Sequence, residues 1–280
     1  MADFMLSAVG VPHFPGYAPE NDGRNEMPSP FSLKDKVVII TGSSRGIGKA
    51  AAEVMAELGA KVVISSRKPE PCEEVASAIR AGGGEAVAIP CNISRKEEIE
   101  ALVHKTKAHF GPIDILVCNA AINPVYGPLR EIEDEAFDKI MASNIKSNLW
   151  LCNLTIPGMA ERGGGAVVIV SSIAGLRASE NIAAYGISKA ADFGLARNLA
   201  AEWGPQNVRV NCVAPGLVKT DFARALWENP SALEFRNRRT PLRRIGEPRE
   251  IGTVVAFLAS PAASFITGEI VVADGGVMIS

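Results

Sequence analysis

KVVIITGSSRGIGKAAAEVMAELGA (36–60) is the stretch whose reading decides the fold. A β-branched, apolar run ends at Thr41. Gly42, Gly46 and Gly48 follow at once, and then come small and apolar residues at spacings of three and four, the signature of a helix with one buried face. Glycine permits a tight turn and lets backbone N–H groups approach an anion, and the start of the helix adds unsatisfied donors and a positive dipole end. A glycine-rich turn between the first strand and the first helix therefore points to a bound pyrophosphate. Gly59 is the expected stop of that helix.

Outward from this unit the pattern repeats. Strands are expected at KVVISS (61–66), EAVAIP (85–90), DILVCN (114–119), AVVIVS (166–171), VRVNCV (208–213) and EIVVAD (269–274), besides KVVIIT (36–41). Nearly continuous apolar runs mark strands buried on both faces, and the long intervals between them suit helical crossovers. The expected fold is α/β: one Rossmann-like, doubly wound, parallel seven-stranded sheet with helices on both faces, spanning residues 34–280. Residues 1–33, rich in Pro, Gly and Asn, are expected to form an arm outside it, either free or packed on a neighbouring subunit.

Composition excludes several function classes. The 280 residues carry a formal net charge of -2, so a broad attraction to nucleic acid or to an anionic membrane is not expected. No apolar stretch approaches the roughly 20 residues needed to span a bilayer. The five cysteines (Cys72, Cys91, Cys118, Cys152, Cys212) form no CxxC, and the three histidines do not cluster with them, so neither a metal site nor a disulfide framework is expected. Reduced, buried thiols and the absence of a basic residue before the apolar N-terminal segment point to a cytoplasmic location. The chain as given ends Val277-Met278-Ile279-Ser280, which is not a peroxisomal tripeptide.

In a doubly wound sheet, ligands bind beyond the carboxyl ends of the strands, and the notable residues follow those ends. The second strand closes on Ser66 and Arg67 where an NAD enzyme of this architecture carries an acidic residue. Arg67, with Arg45 of the glycine turn, suits a 2′-phosphate, and the missing carboxylate removes a repulsion. The cofactor expected is NADP(H). In Tyr185-Gly186-Ile187-Ser188-Lys189 the phenol and the ammonium share one helix face. A nearby cation favours phenolate, so the Tyr185 pKa is expected to fall toward neutrality, fitting it to exchange a proton with a carbonyl or alcohol oxygen.

The turn T-G-x-x-x-G-x-G, the Tyr-x-x-x-Lys pair and Ser172, thirteen residues before Tyr185, come in an order that resembles the short-chain dehydrogenase/reductase family from about Lys34 to the end of the chain. The resemblance implies an oxidoreductase interconverting a ketone or aldehyde and an alcohol, similar to the family's carbonyl reductases. Tyr185 would be the acid/base. Lys189 would lower its pKa and bind the nicotinamide ribose, Ser172 would orient the substrate oxygen, and Asn144 would steady a water beside Lys189.

For the cofactor, the resemblance implies Gly42, Ser44, Arg45, Gly46, Ile47 and Gly48 at the pyrophosphate and Ser66 and Arg67 at the adenosine ribose. Asn92 and Ile93 would lie at the adenine, Asn119 and Ala120 near the ribose, and Pro215, Gly216, Val218 and Thr220 at the carboxamide. The family's N-N-A-G appears here as Cys118-Asn119-Ala120-Ala121, where Ala121 adds a methyl. Residues 221–244, with Phe222, Leu226, Trp227 and Phe235, stand where the family has a variable substrate lid. Asn123, Pro124, Tyr126, Leu176, Arg177 and Glu180 are further candidates for the same cleft.

A homotetramer is implied, joined through the last strand with Phe265-Ile266-Thr267-Gly268 and through the helices around residues 133–160 and 183–204. Two rival readings keep the same residues: a 3-oxoacyl-thioester reductase, for which Arg162 is the available docking cation, and a non-catalytic NADP-binding regulatory module. An extended-type epimerase or dehydratase would need a longer C-terminal substrate region.

Overall fold

The computed structural model describes residues 29–280. Most of the expected arm, residues 1–28, lies outside the described residues. The boundary itself moves, because residues 30–33 are part of the domain. Leu33 is buried and its N–H donates to Leu58 O at 2.9 Å, Pro30 O accepts from Ala262 N at 2.8 Å, and Phe31 packs on Phe257.

The seven expected strands form one parallel sheet: β1 (Val37–Thr41), β2 (Lys61–Ser65), β3 (Glu85–Ala88), β4 (Ile115–Cys118), β5 (Gly165–Val170), β6 (Val208–Pro215) and β7 (Ile270–Ala273). Their order is β3-β2-β1-β4-β5-β6-β7, so the direction of winding reverses between β1 and β4. The helices are α1 (Gly46–Glu57), α2 (Pro69–Ala81), α3 (Lys96–Phe110), α4 (Asp134–Met141), α5 (Ser147–Glu161), α6 (Ala183–Trp203), α7 (Arg224–Trp227), α8 (Pro230–Arg239) and α9 (Pro248–Ala259).

Both faces of the sheet are buried, as the unbroken apolar strands require. Along β1, Val38 and Ile40 join the core under α1, α2 and α9, while Val37 and Ile39 join the core under α3, α5 and α6. On the first face, α9 lies so close to α1 that a methyl on Gly252 would stand 2.8 Å from the Ala50 and Ala51 backbone.

One departure from regular helix matters for the site. Between α4 and α5, Ala142–Lys146 form a π-helical turn. Such turns re-aim the residues they hold and are frequent at functional sites. Here the turn buries Ser143 and Asn144 beside the switch in strand order.

Candidate active site

A groove of about 580 Å³ opens beyond the carboxyl ends of β1, β2, β4 and β5. One wall is the glycine turn. Gly46 sits at φ +58, a left-handed conformation that a side chain would strain. Its turn leads into α1, whose first N–H groups receive no side-chain cap from Arg45. Those free donors and the dipole end face the groove as a cradle for an anion.

The turn is anchored by Asn119, whose Nδ2 donates to Thr41 O (2.9 Å) and Gly42 O (3.1 Å). Thr41 Oγ1 accepts from the Asn119 and Ala120 N–H groups in return. A methyl on Gly48 would stand 2.4 Å from Asn119 Nδ2 and 2.5 Å from Gly42 O. Asn119 is thus a strut of the phosphate turn as well as a lining residue.

Of the residues expected to hold a cofactor, Gly42, Ser44, Arg45, Gly46 and Ile47 line the groove from the turn. Ser66, Arg67, Asn92 and Ile93 line it from the ends of β2 and β3, and Asn119, Ala120, Tyr185, Lys189 and Thr220 line the rest. Ser66 Oγ lies 3.1 Å from Cys72 Sγ, and Asn92 Oδ1 accepts from Ser94 N, which leaves the Asn92 amide N–H groups free to donate. Gly48, Pro215, Gly216 and Val218 do not line the groove. Gly48 lies beneath the turn; Gly216 packs against Asp274, and Val218 is buried beside the Gly246 bridge.

Lys68 and Pro71 were not anticipated and line the groove beside Arg67; Asp221 and Phe222, from the expected lid segment, line it too. Arg67 and Lys68 follow the end of β2, with no carboxylate at its last residues, and Arg45 of the glycine turn lines the same groove with its guanidinium 3.9 Å from Asp221 Oδ2. The open glycine cradle and this cationic end fit a phosphorylated dinucleotide.

Tyr185 and Lys189 come from successive turns of α6. The Lys189 Nζ lies 5.8 Å from the centre of the Tyr185 ring and donates to Val170 O (3.0 Å) and Asp192 Oδ2 (2.9 Å). Ser172 caps a short 3-10 turn by accepting from Ala174 N, and its hydroxyl acts on the Tyr185 phenol. Its neighbour Ser171 is committed elsewhere, donating to Lys189 O at 2.8 Å. Ser171 nonetheless lines the groove, and Ser172 does not.

Asn144 lies behind this group, fully buried in the π-helical turn. Its side chain closes a two-way bond with Ile122 (N–H to Oδ1 2.8 Å, Nδ2 to O 3.0 Å) and donates to Ser188 Oγ at 3.0 Å. The Asn144 carbonyl accepts from Asn148 Nδ2 at 2.7 Å.

The expected fall of the Tyr185 pKa is corrected by the structure. Burial pushes the phenol up; Lys189 opposes this, Asp192 adds to it and Ser172 lowers it, and the net direction is upward. Burial also works to discharge Lys189, but the Asp192 carboxylate and Tyr185 outweigh it and the ammonium is held protonated more firmly than a free lysine. Asp192 is the charged neighbour of this pair that sequence reasoning missed. A signal was present: a carboxylate three residues after Lys189, on a helix face otherwise made of Tyr185, Phe193 and Ala196.

The lid segment closes one side. Phe222 lies 6.0 Å from the Tyr185 ring, centre to centre, and stays half-exposed at the groove. Trp227 turns back to donate to Thr220 O, and Phe235 lies under Arg239 instead of facing the groove. Asn123 lines a small recess beside Tyr185, whereas Pro124, Tyr126, Leu176, Arg177 and Glu180 line neither hollow. Arg162 donates to Gly158 O and Ile113 O and pairs with Asp114 at the amino end of β4, the opposite end of the sheet from the groove. It is not placed to dock a carrier at the site.

Among the described residues, no group of His, Cys, Asp or Glu could hold a metal ion, and no helix is long and apolar enough to cross a membrane.

Residues 42–278 match a family model described as enoyl-(acyl carrier protein) reductase. Dehydrogenase/reductase SDR family member 4 of Oryctolagus cuniculus is 44% identical over 244 residues, which cover 87% of this chain and 94% of that protein. The Homo sapiens protein of the same name is 42% identical, over 87% of this chain and 88% of its own length. Among solved structures, a gluconate 5-dehydrogenase from Burkholderia cenocepacia J2315 in complex with NADP and tartrate superposes with a TM-score of 0.85, at 31% identity, over 89% of this chain and 98% of that one. A 7 alpha-hydroxysteroid dehydrogenase complexed with NADH and 7-oxo glycochenodeoxycholic acid gives 0.84 at 36% identity, over 88% and 95%.

Proposed function

This chain belongs to the short-chain dehydrogenase/reductase family of oxidoreductases, and from that footing we propose that it is an NADP(H)-dependent enzyme interconverting a ketone or aldehyde and an alcohol. One observation carries the reading. Tyr185 and Lys189 stand on one face of α6 and line a groove that Arg45, Arg67 and Lys68 also line.

The glycine turn and the start of α1 would hold the pyrophosphate, Arg45 and Arg67 the 2′-phosphate, and Lys189 and Thr220 the nicotinamide end. The bound dinucleotide supplies or accepts the hydride. Tyr185 gives its phenolic proton to the carbonyl oxygen in reduction and takes it back in oxidation. Lys189 stabilises the phenolate that reduction leaves behind, and Ser172 donates to the substrate oxygen and orients it. Asn144 keeps the π-helical turn docked on Ile122 and Ser188, behind the acid/base pair.

Phe222 at the mouth favours a substrate with an apolar part next to the reacting carbon. Supporting a reducing, cytoplasmic setting, all five cysteines are free and buried. A homotetramer is supported by the apolar groups left outside: Phe265 and Val272 beside and on the sheet's edge strand β7, and Leu149 and Ile187 on α5 and α6. The family model's description names an acyl-carrier-bound substrate, which supports a second reading, a 3-oxoacyl-thioester reductase.

The test is NADPH oxidation against ketones, aldehydes, diketones and acyl thioesters, with Tyr185→Phe as control. Turnover of free ketones or aldehydes is expected, with a loss of roughly 100- to 10,000-fold in the variant. Turnover confined to thioesters would select the second reading. NADPH binding with no turnover of any carbonyl would favour a regulatory module, and a fully active Tyr185→Phe would reject the mechanism.

A further inference from the structure

Lys189 is the largest side chain fully enclosed by the fold, and a carboxylate is enclosed with it. Asp192, one turn further along α6, has no exposed side-chain surface and pairs with Lys189 Nζ at 2.9 Å. Its other oxygen accepts from Asn148 Nδ2 at 3.0 Å, and the same Asn148 amide donates to Asn144 O. The ammonium has three protons. Val170 O and Asp192 take two, and the third is left for the Tyr185 side.

An enclosed ion pair is seldom the most stable way to fill such a space, since desolvating two charges tends to cancel their attraction. With Lys189 retained, an apolar residue at position 192 would leave its ammonium enclosed without a counter-charge. The carboxylate therefore calls for an electrostatic account.

We infer that Asp192 is a positioning residue of the acid/base pair: it pins the Lys189 ammonium between β5 and α6, and its negative charge opposes ionisation of the Tyr185 phenol. This rests on the proposed role of Tyr185. Charge balance gives the consequence a sign. With Asp192 ionised, the Tyr185–Lys189–Asp192 group passes from neutral to anionic when it loses its first proton. Without that charge it passes from cationic to neutral. Removing the carboxylate charge makes the first proton easier to lose, whether it leaves from the phenol or from the ammonium.

The groups facing Asp192 from neighbouring elements do not compensate. Asn148 of α5 and Ser171, just after β5, are uncharged. Cys118 of β4 and Cys212 of β6 are thiols pushed up, by the bond to Cys152 and burial in the first and by burial in the second, and stay neutral; Cys212 donates to the Asp192 carbonyl at 3.5 Å. Arg197 of α6 is the further cation whose charge reaches Cys212.

The experiment is a near-ultraviolet titration of tyrosinate without added dinucleotide, on the wild type and on Asp192→Asn. Each is read as the difference from the same protein carrying Tyr185→Phe, which removes Tyr17 and Tyr126 from the signal. A pH profile of kcat/KM for alcohol oxidation accompanies it. Both midpoints are expected to move down by about one to two pH units in Asp192→Asn, the effect of a unit charge roughly 8 Å away at an effective dielectric of about 20. Curves that superimpose on the wild type, with only kcat reduced, would reduce Asp192 to a packing role.

Asp192→Ser makes the same charge change with room for water, should the amide not fold. If Tyr185→Phe retains turnover, the proposed function fails while the tyrosinate titration still decides the role of Asp192.

Discussion

Gly48→Ala sets local and tertiary forces against each other. Position 48 lies in the first turn of α1, where its φ is not in the left-handed region. Helix propensity alone therefore expects alanine to stabilise, by about 1 kcal/mol. The surroundings expect the reverse. The added methyl would meet Asn119 Nδ2 at 2.4 Å and Gly42 O at 2.5 Å, closer than any real contact. Asn119 must swing away and give up its bonds to Thr41 O and Gly42 O, at about 1 kcal/mol each. Overpacking adds about 1–3 kcal/mol. Setting the propensity gain against these leaves a net destabilisation of about 2–4 kcal/mol, or a fall in Tm of roughly 5–15 °C for a domain of this size.

Thermal unfolding followed by far-ultraviolet circular dichroism measures this. Gly204→Ala, where no atom lies within 4 Å of the added methyl, serves as the control and should stay within about 0.5 kcal/mol of the parent. NADPH affinity should fall with Gly48→Ala as well, because Asn119 holds the turn that would carry the pyrophosphate. A variant as stable as the parent, or more so, would refute the argument from the Asn119 strut.

Arg67→Ala should weaken NADPH by roughly 10- to 100-fold, the worth of a charge-assisted bond, and leave NADH almost unchanged; equal effects in a fluorescence titration would reject the cofactor assignment. Glu250 bonds Arg244 at 2.6 Å and closes the capping box of α9, and the guanidinium holds its carboxyl down at about 2. A depressed carboxyl stabilises above its unfolded value of 4.5, and that stability is lost as pH falls through about 2. Glu250→Gln should therefore cost roughly 1 kcal/mol at neutral pH in urea unfolding, and a gap that persists at pH 2 would contradict the pairing. All five thiols are buried, with Cys91 pushed up to about 12 by its burial. A thiol reagent at neutral pH should label essentially none of them in the folded chain and all after denaturation; rapid native labelling would contradict the packing.

The elements were legible because each is decided by neighbours in the chain. Continuous β-branched runs made strands that tolerate burial on both faces, and the turn glycines stand where the backbone goes left-handed or comes close to another chain segment. Tyr185 and Lys189 could be paired from a spacing of four because a helix imposes that geometry locally. The reading was weaker where a residue's task depends on distant partners. Asn119 reads as a cofactor contact, yet its amide is spent on Thr41 and Gly42, more than seventy residues earlier. Of the lid aromatics, Phe222 faces the groove while Trp227 and Phe235 are taken up by Thr220 and Arg239.

The amino-acid order by itself determined a parallel, doubly wound sheet, the anion-binding turn at its first strand and a phenol–ammonium pair on one helix, since all three follow from periodicity and local backbone freedom. Only the tertiary structure decided the electrostatics of that pair. Whether the phenol ionises more or less readily depends on how much water is excluded and which charges are enclosed with it. The enclosure of Lys189 and Asp192 is made by Val170, Asn148 and Asn144, from segments brought together by the fold.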